Sequence, residues 1–424
     1  MRYERIPKEL FIKNRECFSK QTLPVSISIF TSNSLMPTNA DGIMGFVQNN
    51  AFFYLTGIDQ EDSYLIFTKT EKETKEILFV KETNEKLRIW EGEKLSLEES
   101  TLISGIKTVK YSESFGETLE RLVSEFQFIY LHYDEQVGKN LFFKSKEKVL
   151  IDNLKEKYPL HTFKPASEIL NKQREIKSEI EIELIKKAIE ITKKGFERTA
   201  KAIKPDMLEF EIEADISHEF ILNRSRYHAF QPIIASGKNA CVLHYISNND
   251  ICKNGDLVLM DFGAEYGNYK ADMTRTIPIN GKFTDRQKAV YSSVLNILKK
   301  VKSKMVIGNS FDNLKIQTHE IIGEELIKLG LTTAKNLSNE IIQKYFPHGI
   351  SHYLGLDVHD VGSKNSIFEA GMVLTCEPGI YIIEEGIGIR LENDILITEN
   401  GNIDLMEHVP IEIKEIEELM SQRI

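Results

Sequence analysis

The sequence predicts a mixed α/β (α+β) protein in two unequal parts, and three observations carry that expectation. Through about residue 170, short aromatic and β-branched runs alternate with turn residues, as strands do. At Ser178 a capping box with Glu181 opens a long amphipathic run (Ile180, Leu184, Ile185, Ala188, Thr192, Phe196, Ala200, Ile203) that Pro205 ends. Beyond it the chain turns strand-rich, and eight of its ten histidines fall at or after His218. A chain of 424 residues fits two or three domains at about 150 residues each. The expected division is 1–172 and 173–424, joined somewhere between Pro165 and Ser178.

In the first part, Phe52–Leu55, Ser63–Phe67, Glu76–Val80 and Phe128–Leu131 read as strands. Ser114–Phe126 carries Phe115, Leu119, Leu122, Val123 and Phe126 at helical spacing. The second part should open with the helix from Ser178. A further helix, Leu208 to about Asn223, follows, and then mostly strands.

Composition narrows the class. Apolar residues at 41% and charged residues at 28% describe an ordinary globular protein, and exclude collagen-like, disordered and membrane-spanning chains. A net charge of −10 argues against a general nucleic-acid binder. Cys17, Cys241, Cys252 and Cys376 have no CxxC spacing, so neither a disulfide framework nor a cysteine zinc knuckle is expected. The charged start Met-Arg-Tyr-Glu-Arg leads into no apolar run of secretory length, and no stretch suits a membrane helix. A cytoplasmic protein with no membrane or nucleic-acid partner is the expectation.

The chemistry concentrates in three places. Leu257–Tyr266 reads as a strand, Gly267-Asn268 as a hairpin turn and Tyr269–Ile277 as the return. That register sets 266 opposite 269 and 261 opposite 274, so Asp261 and Asp272 share one face unless a bulge intervenes at Gly263. Two acids aimed into one spot are costly without a positive charge between them, although for an isolated Asp pair on a hairpin a solvated face is the commoner arrangement. The Asp-Phe-Gly at 261–263 does not indicate a kinase, because no glycine-rich loop or His-Arg-Asp loop accompanies it.

His348, His352 and His359 fall within twelve residues. Pro347 and Gly349 argue for a loop or strand end there, and no His-Glu-x-x-His pattern is present. Glu377 ends the apolar run Met372-Val373-Leu374, and Glu392 lies among Ile389, Leu391, Ile395 and Leu396 with Arg390 facing the same way. A salt bridge to one of the acids is the simplest role for Arg390. Asp261, Asp272, Glu377 and Glu392 together carry −4, which two divalent cations would balance. Four oxygen ligands and one imidazole, His352, suit Mn2+, Co2+ or Zn2+, with Mn2+ favoured by the hard oxygens.

These residues, in this order, resemble the pita-bread metallopeptidases, the family of aminopeptidase P, prolidase and methionine aminopeptidase. The resemblance runs through Met260-Asp-Phe-Gly263, Ala271-Asp-Met-Thr-Arg-Thr276, His348–Asp360, Glu377-Pro-Gly379 and Arg390–Asp394. It covers the chain from about residue 175 to its end. Phe46–Gly57 is similar to the N-terminal domain of bacterial aminopeptidase P. The implied fold is therefore an N-terminal α/β domain of creatinase/prolidase type followed by a C-terminal pita-bread metallopeptidase domain.

The resemblance implies roles residue by residue. Asp261 would ligate one metal, Asp272 and Glu392 would bridge, and His352 and Glu377 would hold the second. A metal-bridged hydroxide would be the nucleophile and Glu377 its proton acceptor, with His359 stabilising the carbonyl oxygen. His244 and His348 would line the proline side of the pocket, and Arg390 would support it. Trp90, the single Trp of the chain, resembles one that approaches a neighbouring subunit's active site in oligomers. The implied activity is hydrolysis of the N-terminal Xaa-Pro bond of peptides by a homodimer or homotetramer. Prolidase action on Xaa-Pro dipeptides is the alternative, and a non-catalytic binding module of the same fold a more distant one.

Overall fold

A computed structural model describes residues 3–133 and 144–422. The chain forms two compact units, Tyr3–Gln173 and Arg174 onward. Among the described residues no helix is long and apolar enough to cross a membrane.

The first unit is built on a six-stranded mixed sheet, order β4-β3-β2-β1-β5-β6. Its strands are β1 (Ser26–Thr31), β2 (Tyr64–Lys69), β3 (Thr74–Val80), β4 (Val109–Tyr111), β5 (Phe128–Leu131) and β6 (Thr162–Pro165). Its helices are α1 (Lys8–Gln21), α2 (Asn50–Thr56), α3 (Glu85–Glu91), α4 (Leu97–Ser104), α5 (Phe115–Val123), α6 (Lys146–Lys157) and α7 (Ser167–Glu175), the last running across the boundary between the units. On one face Ile27, Ile29 and Ile129 meet Leu119, Leu122 and Val123 of α5 and Ile151 and Leu154 of α6. On the other, Phe30 and Phe67 pack edge-on against each other and around Phe18 of α1. All six residues of β1 are buried because both faces are covered.

One expected strand is a helix. Phe52–Leu55 lies in α2, where Asn49 accepts from the Phe52 amide and Gly57 ends the turn in the left-handed conformation at φ 68°. Four consecutive apolar residues carry no period that separates a buried strand from a buried helix. The cap residues on either side decided it.

The second unit opens with α8 (Glu179–Ala202), whose capping box at Ser178 and Glu181 forms as the sequence predicts. It packs against α9 (Glu209–Leu222). Three strands follow in the order β11-β8-β7: β7 (Ile233–Ser236), β8 (Leu257–Phe262) and β11 (Met273–Pro278). The short pair β9 (Glu265–Tyr266) and β10 (Tyr269–Lys270) closes the β8–β11 hairpin. The expected dominance of strands after residue 223 is not observed: α10 (Asp285–Lys302), α11 (Phe311–Lys328) and α12 (Asn339–Tyr345) occupy most of residues 285–345. The signal was present, since Thr284 and Gln287 form a capping box ahead of Val290, Val294, Ile297, Leu298 and Val301 at helical spacing. The chain ends in the sheet β12-β15-β16, the hairpin β13-β14 and helix α13 (Ile413–Ser421). These strands are β12 (Val373–Cys376), β13 (Gly379–Ile382), β14 (Ile387–Arg390), β15 (Asn393–Thr398) and β16 (Gly401–Asp404).

The hairpin register is the predicted one. Tyr266 faces Tyr269 and Asp261 faces Thr274, so no bulge shifts the pairing between them. Gly263 permits this, because a Cβ there would stand 1.7 Å from the Ala271 carbonyl oxygen. Gly263→Ala should therefore push the two strands apart and cost about 2–3 kcal/mol. Its urea midpoint should fall well below that of the parent chain, and an unchanged midpoint would contradict the close approach.

Candidate metal centre and active site

Strand ends and strand breaks deliver the acids. Asp261 is near the end of β8, and Asp272 immediately precedes β11. Glu377 lies between β12 and β13, and Glu392 between β14 and β15. At such breaks a side chain leaves the alternation of the sheet and is free to turn inward. Cross-links hold the segments in register: the Glu392 amide donates to Thr274 O at 3.1 Å, and the Glu377 amide to Ile350 O at 3.0 Å. The loop carrying His352 runs beside β12, with the Thr375 amide donating to His352 O at 2.9 Å. Arg275, fully buried, donates to Thr274 O, Glu392 O, Asn393 Oδ1 and Pro410 O, and so fixes the Glu392 backbone from behind.

The five residues singled out as metal ligands lie together. Ligand atoms of Asp272, His352 and Glu392 fall within 4.8 Å of one another. His352 Nε2 is 3.3 Å from Asp272 Oδ2 and 3.7 Å from Glu377 Oε1. Asp261 is close enough to Asp272 and Glu392 to raise both of their pKa values. His352 Nδ1 donates to Tyr353 O at 2.9 Å, which leaves the Nε2 lone pair aimed at the acids. Oδ1 of Asp261 and Oδ1 of Asp272 are buried without a hydrogen-bond donor. Buried carboxylate oxygens are rarely left so, and a divalent cation is the partner that a set of four acids and one imidazole fits.

A second layer of contacts surrounds this cluster. Arg390 donates to Asp261 Oδ2 at 2.5 Å, to Tyr381 OH at 2.9 Å and to Thr274 Oγ1 at 3.1 Å. Thr274 in turn donates to Glu392 Oε2 at 2.7 Å. Arg390 is 4% exposed, so its guanidinium is spent on the protein; the expected salt bridge exists and its partner is Asp261. His348 Nδ1 donates to Gly349 O, and its Nε2 accepts from Tyr381 OH at 2.8 Å. Tyr381 links His348 to Arg390, a role the sequence did not reveal because 33 residues separate it from His348.

His359 stacks edge-on against His352 with ring centroids 4.3 Å apart. His244 is exposed and lies near enough to His348 and His359 to influence both. Trp90, on α3 of the first unit, is 79% exposed.

Two family models match the chain: Metallopeptidase family M24 over residues 183–399, and Aminopeptidase P, N-terminal domain, over residues 11–130. The Xaa-Pro aminopeptidase of Haemophilus influenzae is 34% identical over 98% of each chain. This chain belongs to the aminopeptidase P group of metallopeptidase family M24. A solved structure of aminopeptidase P from Escherichia coli with the inhibitor Pro-Leu is 31% identical and superposes with a TM-score of 0.90, covering 99% of each chain. A proline aminopeptidase P II structure from Yersinia pestis gives 31% identity and a TM-score of 0.88, over 98% of this chain and 99% of that one. The mixed fold expected from the sequence, an N-terminal aminopeptidase P-type unit followed by the metallopeptidase unit, is thus the observed one.

The electrostatics of this family site follow from crowding. Burial first, and then Glu392, pushes Glu377 up to about 8. Asp272 and Glu392 are also raised, by burial and then by neighbouring carboxylates. Burial and Arg390 take His348 down to about 3, while burial, His352 and His244 take His359 down to about 4. In the metal-free protein an acid with a raised folded pKa contributes stability below its unfolded value and loses that stability as pH climbs to the folded one. The two histidines, depressed, contribute fully above their unfolded value of about 6.5 and add no slope beyond it. Between pH 6.5 and 8 the metal-free chain should therefore lose stability, and saturating Mn2+ should flatten the profile. Thermal melts across that window with and without Mn2+ test this, and a flat metal-free profile would contradict joint burial of the acids.

Proposed function

We propose that this metallopeptidase hydrolyses the N-terminal Xaa-Pro bond of peptides longer than a dipeptide. The observation that carries the reading is the convergence of Asp261, Asp272, His352, Glu377 and Glu392, with two of their buried oxygens lacking a donor. Relatives named Xaa-Pro aminopeptidase match along nearly the whole chain, including the N-terminal unit. Asp261 would hold one ion, His352 and Glu377 the other, and Asp272 and Glu392 both. The hard oxygen donors favour manganese. Bound there, two divalent cations would make water acidic enough to act as a nucleophile near neutral pH.

The protein's own groups supply the rest. Glu377, whose carboxylate lies beside His352 in the acid cluster, takes the proton of the attacking water and returns it to the prolyl nitrogen as the C–N bond breaks. The neutral His359 ring donates an N–H to the carbonyl oxygen as charge develops on it. His348 and His244 form the wall against which a pyrrolidine ring packs. The prolyl nitrogen has no N–H, so a site that grips the free amino terminus and the ring loses nothing at that residue. Arg390 keeps Asp261 and Tyr381 in place and does not contact substrate in this reading.

The exposure of Trp90 suits a side chain offered to a neighbouring subunit, and we place it there in a homodimer or homotetramer. All four cysteines are free, which suits a reducing cytoplasm.

The test compares an Xaa-Pro-Xaa tripeptide with an Xaa-Pro dipeptide, each with Mn2+ and again after chelation. Release of the first residue from the tripeptide, abolished by chelation, is expected; cleavage of the dipeptide alone would make the protein a prolidase. His359→Ala should lower kcat about 100-fold while bound metal stays the same. Loss of metal in that variant would contradict the assigned role.

A further inference from the structure

Glu209, the first residue of α9, is completely buried. Five donors converge on its carboxylate. Oε1 accepts from the Ser236 amide at 2.7 Å, Ser236 Oγ at 2.8 Å and Asn239 Nδ2 at 3.2 Å. Oε2 accepts from Tyr245 OH at 2.8 Å and the Asp250 amide at 2.9 Å. The donors come from both ends of the segment 236–250, which carries His244 between them. The backbone adds a second fastening, with Glu209 N donating to Asp250 O at 3.0 Å and Cys252 N to Met207 O at 2.8 Å.

The segment is also seated on the active-site side. Ala240 belongs to an apolar cluster with Ile233, Leu259 and Tyr381, against which Leu243 and Tyr245 pack. A Cβ on Gly388 of β14 would stand 2.1 Å from Ala240 O, so the strand leading to Arg390 touches this segment directly. A carboxylate accepts only, which is what five inward-pointing donors require; an amide would turn a donor of its own against one of them.

We propose that Glu209 is a positioning residue that fixes segment 236–250 so that His244 stands opposite His348 and His359. The proposal rests on the Xaa-Pro reading above, in which His244 walls the proline side of the pocket. In Glu209→Gln, KM for an Xaa-Pro-Xaa tripeptide should rise about ten-fold or more, kcat should stay within about three-fold, and bound Mn2+ should be unchanged. In a His244→Ala background the same substitution should add little to KM, because the two residues act through one contact; fully additive effects would overturn the proposal. Tyr245→Phe removes one donor and should give a smaller KM rise, which keeps the idea testable if Glu209→Gln does not fold. Amide exchange of the Mn2+-loaded protein needs no substrate, and Glu209→Gln should lose protection at Ser236 and Asp250. Unchanged protection would sink the clasp. A parent chain that cleaves no Xaa-Pro peptide would sink the Xaa-Pro reading instead, while the exchange result still decides the clasp.

Discussion

The confinement of four carboxylates around one imidazole is the constraint on which the rest of the second unit depends. Like charges at this separation repel, and burial removes the water that would screen them. The fold answers by making the acids hard to move. Each comes from a strand end or break, and amide hydrogen bonds fasten the breaks: Glu392 to Thr274 O of β11, Glu377 to Ile350 O, and Asp272 to the Asp394 carboxylate. Arg275 clasps the Glu392 carbonyl from behind, and Arg390 faces Asp261 from within. A charge cluster that cannot relax by swinging apart keeps its affinity for cations, and that is the state the architecture maintains.

The neighbouring polar groups are wired so that each has one workable proton assignment. Gly349 O and Tyr353 O accept from the Nδ1 atoms of His348 and His352, and this sets both tautomers. Tyr381 then donates to His348 because it accepts from Arg390, which can only donate. Thr274 repeats the pattern between Arg390 and Glu392. Geometry at the centre is thereby inherited from backbone carbonyls that the sheets hold still.

Much of this was legible in the sequence, and the reasons are local. The hairpin around Gly267-Asn268 has period-2 alternation and a two-residue turn, so its register could be counted from residue numbers alone. The motif residues Asp261, Asp272, His352, Glu377 and Glu392 follow a fixed order along the chain, and order survives without coordinates. Phe52–Leu55 was misread because a run apolar on every side has no period, and the information sat in Asn49 and Gly57 instead. The helices of 285–345 had caps and periodicity but no chemistry to draw attention to them. Tyr381 and Glu209 were invisible for a different reason. Their partners lie up to 41 residues away, across loops whose paths no local pattern fixes.

The depressed histidines have a further consequence. His348 and His359 stay neutral well below physiological pH, and cations at the acids would hold them there more firmly still. In the proposed Xaa-Pro reading these two rings would be polar groups beside the substrate that carry no charge. Neutral rings exert only short-range forces, so these two would neither steer a peptide in from solution nor clasp a terminal carboxylate. Any selection by these two rings would then be a matter of shape, and their grip should be nearly indifferent to ionic strength.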